Sequence, residues 1–563
     1  MKYKIIHHKL KKKPNMGDYS KARRKFSWKT AENEITFFDS RHKLLNAAHN
    51  AVDRHAGADK GEKPAIIYVD DNFKEKIITF NDLKRQSNKF ANVLKGLGVH
   101  KGDRVFIFLQ RTPIVPITFL GILKTGAIAG TLFAAFAHQA IEDRLNNSKA
   151  KVLITSRALV GRVNRRKLKH LKHVLVIEDS LFKKKMKQAS DEFKCVRTKR
   201  TDPAFMLYTS GSTGTPKGIV HSHNSILQQH MTAKYVLDLH QDDMYWCTAD
   251  YGWVTGIAYN ILGSMSNYVT HILYGGRFEP KKWYKVIKKY EVNVWYTAPT
   301  AVRMLKSLTS GKLNLPSLRL MCSVGEPLNP DAIYWAVKAF RQPVYDNYWQ
   351  TETGGIMIAN YPGMPIHAGS MGKPVPWVTA MIVDEKGRKL GTGKEGNLAF
   401  KPNWPSMMIN VWGNKRKYSH YFSKGVYLTG DKAYVDSKGY FWFIGRADDV
   451  IKTSGERVGP FEVESALIEH KDVIEAGVIG KPDEMRGEII KAFIVLKKGV
   501  PKSARKKREI QLFVKKHLAG HAYPREIEFM DLLPKTRSGK IMRRVLKAKE
   551  LGLPVGDTST LTK

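Results

Sequence analysis

Short apolar runs alternate with amphipathic stretches along most of the chain. Four of these runs are rich in β-branched and aromatic residues, and they lie at 104–108, 151–155, 173–178 and 292–296. Buried strands that alternate with helices are typical of βαβ units and of a mainly parallel sheet. The pattern therefore predicts an α/β fold.

The pattern changes near residue 448. There the sequence Gly-Arg-Ala-Asp-Asp (445–449) follows an aromatic strand that we predict at 440–444. The remaining residues predict a compact α+β unit, with helices and strands at 462–469, 508–518, 476–479 and 490–496. Because 563 residues exceed what one core usually organises, we expect a large, multi-subdomain α/β N-terminal domain (1–447), a hinge at Asp448 and a small α+β C-terminal domain (449–563).

The composition, 42% hydrophobic and 26% charged, is that of a globular protein. Three cysteines lie far apart without metal-ligand spacing, which suits a reducing cytoplasm better than a disulfide framework. Residues 1–13 are basic but lack an apolar core, so we expect no secretory signal. The apolar stretch 112–138 has Lys124 near its centre, which favours a buried helix–strand pair over a membrane span.

The formal net charge of the chain is +44. A positive field would attract polyanionic ligands, but a binding site needs only a few such charges. Much of the excess lies in surface-like runs at 162–172, 183–187 and 502–508. Nucleic-acid binding is the alternative, but no zinc-finger spacing or RRM-type aromatic signature accompanies the charge. We therefore expect a solvated surface and no nucleic-acid partner.

A loop rich in glycine and hydroxyl groups follows the apolar run at 204–207. Residues 208–218 read Tyr-Thr-Ser-Gly-Ser-Thr-Gly-Thr-Pro-Lys-Gly. Glycines let backbone N–H groups approach an anion, the hydroxyls add donors, and Lys217 adds charge. The loop is not a Walker A motif, which needs Gly-Lys-Ser/Thr in sequence. It resembles the phosphate loop of the adenylate-forming enzymes: acyl-CoA synthetases, firefly luciferases and the adenylation domains of peptide synthetases.

Further motifs match the same family in the same order, from about Phe26 onward. They resemble an adenine-packing loop, a segment with an α-phosphate contact and a magnesium ligand, a ribose-binding turn, a ribose contact with the hinge, the opening of the C-terminal domain, and a loop that bears a catalytic lysine. In that order they are the segments 323–327, 348–354, 429–431, 445–448, 454–457 and 534–540. A flexible surface turn would explain one such string but not an ordered series.

The resemblance implies a two-step reaction. ATP converts a carboxylate to an acyl-adenylate with release of pyrophosphate, and the thiol of CoA then displaces AMP. Lys540 is implied to bridge the carboxylate and the α-phosphate, and Thr351 to donate to that phosphate. Glu352 would hold Mg²⁺, since a hard cation prefers carboxylate oxygen, and Asp431 would accept from both ribose hydroxyls.

The resemblance also implies which residues bind each substrate and that the C-terminal domain is mobile, rotating about Asp448 between the two steps. The nucleotide set is Thr209, Ser210, Gly211, Ser212, Thr213, Gly214, Lys217, Gly325, Glu326, Pro327, Tyr348, Trp349, Gln350, Thr351, Glu352, Asp431, Arg446 and Arg457. Ser454 and Gly455 would help form the tunnel for CoA. A structural ion pair is the alternative for Arg457.

The acyl pocket resembles that of acetyl-CoA synthetases, in particular the short type of Gram-positive bacteria. The matching residues are Trp253, Val254, Thr255, Val324 and Trp349. An indole at Trp349 can close the pocket just beyond a methyl group, so we expect an acetate:CoA ligase. A propionyl-CoA or medium-chain acyl-CoA synthetase is the alternative, and a standalone adenylation domain is disfavoured because no carrier domain follows.

Two further expectations concern single residues. In related synthetases the lysine equivalent to Lys540 is reversibly acetylated, which implies a protein acetyltransferase and a deacetylase as partners. His221 and His223 follow the phosphate loop without an apparent third metal ligand, so we interpret them as structural or solvent-facing. The contacts of the CoA 3′-phosphate are left unassigned, because residues 157–166 do not match the corresponding segment of longer enzymes.

Overall fold

The structure, a computed structural model, describes residues 4–210, 216–309, 311–453, 456–518, 522–536, 539–555, 558 and 561, with the backbone alone at Ser210. The strands within these residues are β1 (Ile5–Ile6), β2 (Pro64–Val69), β3 (Glu75–Thr79), β4 (Arg104–Phe108), β5 (Ile128–Thr131), β6 (Val152–Thr155), β7 (His173–Val176), β8 (Pro203–Ser210), β9 (Pro216–Ser222), β10 (Met244–Cys247), β11 (Thr270–Tyr274), β12 (Val294–Thr297), β13 (Leu320–Ser323), β14 (Val344–Tyr348), β15 (Ile358–Ala359), β16 (Ile366–His367), β17 (Lys373–Pro374), β18 (Ala380–Val383), β19 (Gly396–Phe400), β20 (Asn410–Val411), β21 (Tyr427–Val435), β22 (Phe441–Arg446), β23 (Ile451–Thr453), β24 (Glu456–Val458), β25 (Val473–Asp483), β26 (Gly487–Leu496) and β27 (Glu526–Phe529).

Helices connect most of these strands. They are α1 (Tyr19–Lys25), α2 (Trp28–Glu32), α3 (Ala47–Ala51), α4 (Ala58–Gly61), α5 (Phe80–Gly96), α6 (Ile114–Lys124), α7 (His138–Ser148), α8 (Arg157–Val160), α9 (Ser180–Gln188), α10 (Ser225–Tyr235), α11 (Val254–Ile257), α12 (Gly263–Ser266), α13 (Pro280–Lys289), α14 (Pro299–Leu308), α15 (Pro330–Phe340), α16 (Lys415–His420), α17 (Pro460–Glu469), α18 (Ala504–His517) and α19 (Arg543–Glu550). Two 3₁₀ turns (Asp53–His55 and Arg165–Lys167) and a π-helical turn (Ala258–Leu262) complete the set.

Two large sheets dominate the N-terminal domain. One has the order β17-β15-β14-β13-β12-β10-β11-β2-β3, in which the strands from β14 to β2 are parallel. The other has the order β20-β9-β8-β5-β4-β6-β7, in which the strands from β8 to β7 are parallel. The predicted α/β architecture is confirmed, and β4 coincides with the run at 104–108.

The third sheet and the C-terminal domain complete the fold. Strands β18, β19, β21 and β22 form an antiparallel sheet. Strands β23 to β27 form a separate sheet, packed with α17 and α18 around their own apolar core. The expected large α/β domain followed by a smaller α+β domain is therefore confirmed.

The apolar stretch at 112–138 contains the short helix α6 and the strand β5, with Lys124 buried at the end of the helix. Lys124 lies 2.6 Å from Asp53 Oδ1, so its charge is paired within the core. Across the part of the chain that the structure describes, each helix is too short or too polar to cross a membrane. The predicted helix–strand pair is confirmed.

A buried ion cluster ties together the amino ends of neighbouring parallel strands. Arg319, just before β13, reaches past β12 to Asp238 and Asp243, which precede β10. Its Nε donates to Asp243 Oδ1 at 2.9 Å, and its Nη1 donates to Asp238 Oδ2 at 2.9 Å. All three residues are buried. The cluster therefore fixes the register of the strands whose other ends carry the candidate site.

Removing the guanidinium should destabilise the N-terminal domain. Arg319→Met leaves two buried carboxylates without their cation, and we expect the free energy of unfolding to fall by about 3–5 kcal/mol. Urea denaturation followed by tryptophan fluorescence measures this loss. Arg388→Met breaks an exposed ion pair with Asp384 and should cost less than about 1 kcal/mol. Equal losses in the two variants would contradict the importance of the buried cluster.

Candidate active site

A cavity of about 1730 Å³ lies at the carboxyl ends of the parallel strands β10, β12, β13 and β14. The residues that follow these strands, among them Thr248, Ala298, Val324 and Trp349, line one side of it. The sheet of β21 and β22 and the C-terminal domain close the other side. Ligands of open α/β sheets bind at such carboxyl ends, so the fold itself points to this cavity.

Most of the residues predicted from the sequence line this one cavity. They are Thr209, Lys217, Trp253, Val254, Thr255, Val324, Gly325, Glu326, Pro327, Tyr348, Trp349, Gln350, Thr351, Glu352, Asp431, Arg446, Asp448 and Lys540. Residues far apart in sequence therefore meet at one cavity.

The remaining predicted residues do not contribute to this description. Gly211, Ser212, Thr213, Gly214, Ser454 and Gly455 lie outside the described residues, as does the side chain of Ser210. Arg457 is exposed on β24 and is not among the described residues that line the cavity. Its nucleotide contact stays a prediction.

Asp431 is held by polar groups on two segments. Its Oδ2 accepts from the hydroxyl of Tyr348 at 2.6 Å and from Nε2 of Gln350 at 2.9 Å. The pairing of β21 with β22 sets Asp431 opposite Arg446. Burial raises the pKa of Asp431, and the Arg446 guanidinium opposes that shift. The carboxylate is thus fixed in position beside a cation at the cavity wall.

The end of the cavity near Lys217 is positively charged. Burial lowers the pKa of Lys217, and the neighbouring ammonium of Lys417 lowers it further. Glu352 offsets part of this repulsion, and its Oε1 accepts from the Tyr421 hydroxyl at 3.0 Å. Two lysines beside one carboxylate match a polyanionic ligand that carries a hard cation.

Lys540 enters the cavity from the C-terminal domain. Its side chain is open to the cavity but enclosed by both domains, and this enclosure lowers the pKa of the ammonium. Arg446 lowers that pKa further, whereas Asp431 raises it. The hydroxyl oxygen of Thr300 in the N-terminal domain lies 3.0 Å from the carbonyl oxygen of Gly539. This contact docks the loop on the N-terminal domain through Gly539, the residue just before Lys540.

Glu326 is engaged within the protein. Its Oε2 accepts from Nη2 of Arg303 at 2.7 Å, and its Oε1 contacts the hydroxyl of Thr300. The preceding residue, Gly325, has φ +102°, a conformation that favours glycine. The loop predicted to pack against adenine is thus anchored through its carboxylate while its backbone lines the cavity.

Trp349 forms a rigid apolar wall. Its indole stacks edge-to-face on Tyr259 with centroids 5.3 Å apart, and its Nε1 donates to the Tyr296 hydroxyl at 3.3 Å. Tyr296 in turn donates to Asn347 Oδ1 at 2.9 Å. Only 8% of Trp349 is exposed, so it is a core aromatic that also lines the cavity. A side chain fixed from behind in this way can limit the length of a ligand.

His221 and His223 are both buried, so the solvent-facing interpretation is wrong and the structural one holds. The His221 ring lies between the carbonyl oxygens of Ser406 and Thr351, at 3.0 and 2.8 Å. Burial lowers the pKa of His221 to about 4, which keeps the ring neutral. Apolar residues pack on both sides of β9, and this packing also buries the two histidines. His221 thereby helps to position Thr351.

Sequence analysis missed several residues that complete the site. Lys417 lies in the run Lys-Arg-Lys at 415–417, which has the composition of a solvated surface. Glu352 is contacted by Tyr421, and Glu326 is contacted by Thr300 and Arg303. These partners lie on other segments of the chain than the carboxylates, so their spacing in sequence carries no signal for the contacts. Only the fold brings Lys417, Tyr421 and Thr300 to the cavity, and Arg303 to Glu326 behind it.

The comparisons with known proteins identify the family. The family model "AMP-binding enzyme" matches residues 52–408, and "AMP-binding enzyme C-terminal domain" matches residues 462–540. The chain belongs to the AMP-binding enzyme family, as the motifs indicate.

Relatives and solved structures agree with this membership. An acetyl-coenzyme A synthetase of Bacillus subtilis (strain 168) is 52% identical over 560 residues, covering 97% of each chain. The crystal structure of a Brucella canis acyl-CoA synthetase has a TM-score of 0.73 and 34% identity, covering 95% of this chain and 99% of that one. An anthranilate CoA ligase in complex with anthranoyl-AMP has a TM-score of 0.83 and 30% identity, covering 90% and 97%.

Asp346, on β14 beside the cavity, should make stability depend on pH. Burial raises the pKa of its carboxyl from 3.8 to about 7, and Ser323 Oγ donates to it at 2.6 Å. The folded protein therefore retains a proton that the unfolded chain releases, so this contribution to stability is lost as pH rises from about 4 to about 7. Urea midpoints at several pH values should fall less steeply across this range for Asp346→Asn than for the wild type. Parallel curves would contradict the assignment.

Proposed function

We propose that the protein is an AMP-forming acetate:CoA ligase. Acetate, ATP and CoA would give acetyl-CoA, AMP and pyrophosphate by way of an acetyl-adenylate. The observation that carries the proposal is the rigid indole of Trp349 at the apolar part of a cavity that also holds Asp431 and Lys540. The name of the Bacillus subtilis relative, an acetyl-coenzyme A synthetase, supports the same substrate.

In the first step, cations would bring two anions together. The acetate carboxylate must approach the α-phosphate of ATP, and both are negatively charged. Lys540 would lie between them, Lys217 and Lys417 would hold the phosphates, and Asp431 would accept from the ribose hydroxyls; all four side chains line the cavity. The electrostatic interactions of these groups with the substrates are stronger in an enclosed site than in water, and the groups are positioned before the reaction begins.

The site fits Mg²⁺ on the nucleotide. This ion binds through one or two carboxylates together with substrate phosphates, and Glu352 lines the phosphate end of the cavity. The Tyr421 hydroxyl orients one oxygen of that carboxylate. When bound, the ion would neutralise phosphate charge, and Glu352 is the residue that would hold it.

In the second step, the C-terminal domain would turn about Asp448, withdraw Lys540 and admit CoA past Ser454 and Gly455. Asp448 lies between the sheet of β21 and β22 and the C-terminal sheet, in a position where a few residues can absorb a large change in φ and ψ. Acetylation of Lys540 would remove the charge used in the first step. These chain movements and a cytoplasmic location are parts of the proposal.

The test of the proposed function is acid-dependent pyrophosphate release with ATP and Mg²⁺, comparing acetate, propionate, butyrate and octanoate, with and without CoA. We expect preference for acetate and multiple turnover only with CoA. A preference for octanoate would retain the adenylation chemistry and refute the pocket assignment. Silence with every acid, from folded protein, would refute the proposal.

Removing the wall should lengthen the accepted acid. Trp349→Gly is expected to raise kcat/KM for butyrate relative to acetate by at least about tenfold, since each methylene in an apolar pocket contributes about 1–3 kcal/mol. Competition assays with mixed acids measure the ratio directly. Trp335→Gly removes an indole from α15, away from the cavity, and should leave the ratio unchanged. The same shift in both variants would point to general loosening of the fold.

Lys540→Ala should slow adenylation by at least about 10²–10³, the scale of removing one key electrostatic contact. Thioester formation from supplied acetyl-adenylate and CoA should be spared, because Lys540 acts in the first step. Acetate-dependent ATP–pyrophosphate exchange and acetyl-CoA formation measure the two steps separately. Lys547→Ala, on α19 of the same domain, is the matched control. Equal loss of both steps in Lys540→Ala would refute the assigned role.

A further inference from the structure

A buried hydrogen bond joins the two domains between helices α15 and α17. Asn329 lies at the N-cap of α15 in the N-terminal domain, and Ser465 lies on α17 in the C-terminal domain. The Nδ2 of Asn329 donates to Oγ of Ser465 at 2.8 Å. Each residue is only 3% exposed, so the bond is shielded from water. Either polar group, if left without its partner at this depth, would be desolvated without a hydrogen bond, which costs free energy.

The orientation of the Asn329 amide is fixed by its other neighbour. Its Oδ1 accepts from Nη1 of Arg303 at 3.3 Å. A guanidinium can only donate, so the amide oxygen must face Arg303 and the amide nitrogen must face the C-terminal domain. The Ser465 hydroxyl donates to the carbonyl oxygen of Phe461 at 2.8 Å, which leaves its oxygen to accept from Asn329.

The same guanidinium also supports the docking of the Lys540 loop. Nη2 of Arg303 donates to the hydroxyl oxygen of Thr300 at 2.8 Å, and this oxygen lies 3.0 Å from the carbonyl oxygen of Gly539. Arg303 thus orients two side chains, Asn329 and Thr300, that each contact the C-terminal domain. One contact lies on α17, and the other lies just before Lys540.

Asn329 does not use its side chain to cap its own helix. Asparagine is among the preferred N-cap residues because its side-chain oxygen accepts from a free backbone N–H of the first turn. Among the described residues, however, its side chain makes no such cap on α15. The oxygen that would make the cap accepts from Arg303 of the same domain, and the amide nitrogen is left for Ser465. The side chain thus serves the contact between the domains.

We propose that Asn329 and Ser465 are positioning residues that select the domain arrangement used for adenylation. The pair holds α17 against α15 while Lys540 is in the cavity. This inference rests on the proposed two-step function. It assigns a specific interdomain contact to the first step alone.

Two variants test the pair. Asn329→Ser keeps a good N-cap residue but is too short to reach Ser465, and Ser465→Ala removes the acceptor. Each should slow acetate-dependent ATP–pyrophosphate exchange by about 3- to 10-fold, the effect of one buried neutral hydrogen bond. Acetyl-CoA formation from supplied acetyl-adenylate should be unchanged or faster. The double variant should be no slower than the worse single variant, because both remove the same bond.

The control is Ser503→Ala, which removes the N-cap of α18 elsewhere in the C-terminal domain and should leave both steps unchanged. A second readout does not depend on any acid: backbone amide exchange in α17 should rise in Asn329→Ser and Ser465→Ala but not in Ser503→Ala. Equal slowing of both steps, or unchanged exchange rates in α17, would overturn the proposal. Wild-type protein that is silent with every acid would instead refute the proposed function, and the amide exchange would still decide whether the contact joins the domains.

Discussion

The arrangement of the site depends on a close contact between a glycine and a threonine across the domain boundary. Gly539 has φ +90°, and a Cβ atom at this position would lie 2.2 Å from Cγ2 of Thr300. Any larger residue would therefore be strained in its backbone and would push the loop away from the N-terminal domain. Because Lys540 is the next residue, this absence of a side chain is what lets its ammonium reach the cavity.

The same contact positions Lys540 among the other charged groups around the cavity. Burial lowers the pKa of Lys540, Arg446 lowers it further, and Asp431 raises it. Two of the site carboxylates are held by uncharged donors, Asp431 by Tyr348 and Glu352 by Tyr421. Glu326 is held by the Arg303 guanidinium instead. The lysines and Arg446 supply positive charge to the cavity.

The sequence was sufficient to predict the local elements and most of the cavity lining. The run at 104–108 became β4 because a buried parallel strand needs continuous apolar residues, a property that is visible without the fold. The motifs around Trp349 and Asp431 were recognisable because their chemistry depends on residues adjacent in the chain. Arg303, Tyr421 and the burial of His221 were not predictable. Their partners lie on separate segments, so neither periodicity nor spacing encodes the contact.

Arg303 orients the side chains of two interdomain contacts, Thr300–Gly539 and Asn329–Ser465, and the two contacts depend on different properties. The Thr300–Gly539 contact depends on shape, since it needs both the missing side chain and a positive φ. The Asn329–Ser465 bond depends on hydrogen-bond direction, since Arg303 occupies the amide oxygen and leaves the amide nitrogen for Ser465. If the domains separate, water can bond the freed amide nitrogen and hydroxyl oxygen, so the bond contributes only about 0.5–1.5 kcal/mol net. A single neutral bond of this size favours one domain arrangement without locking it.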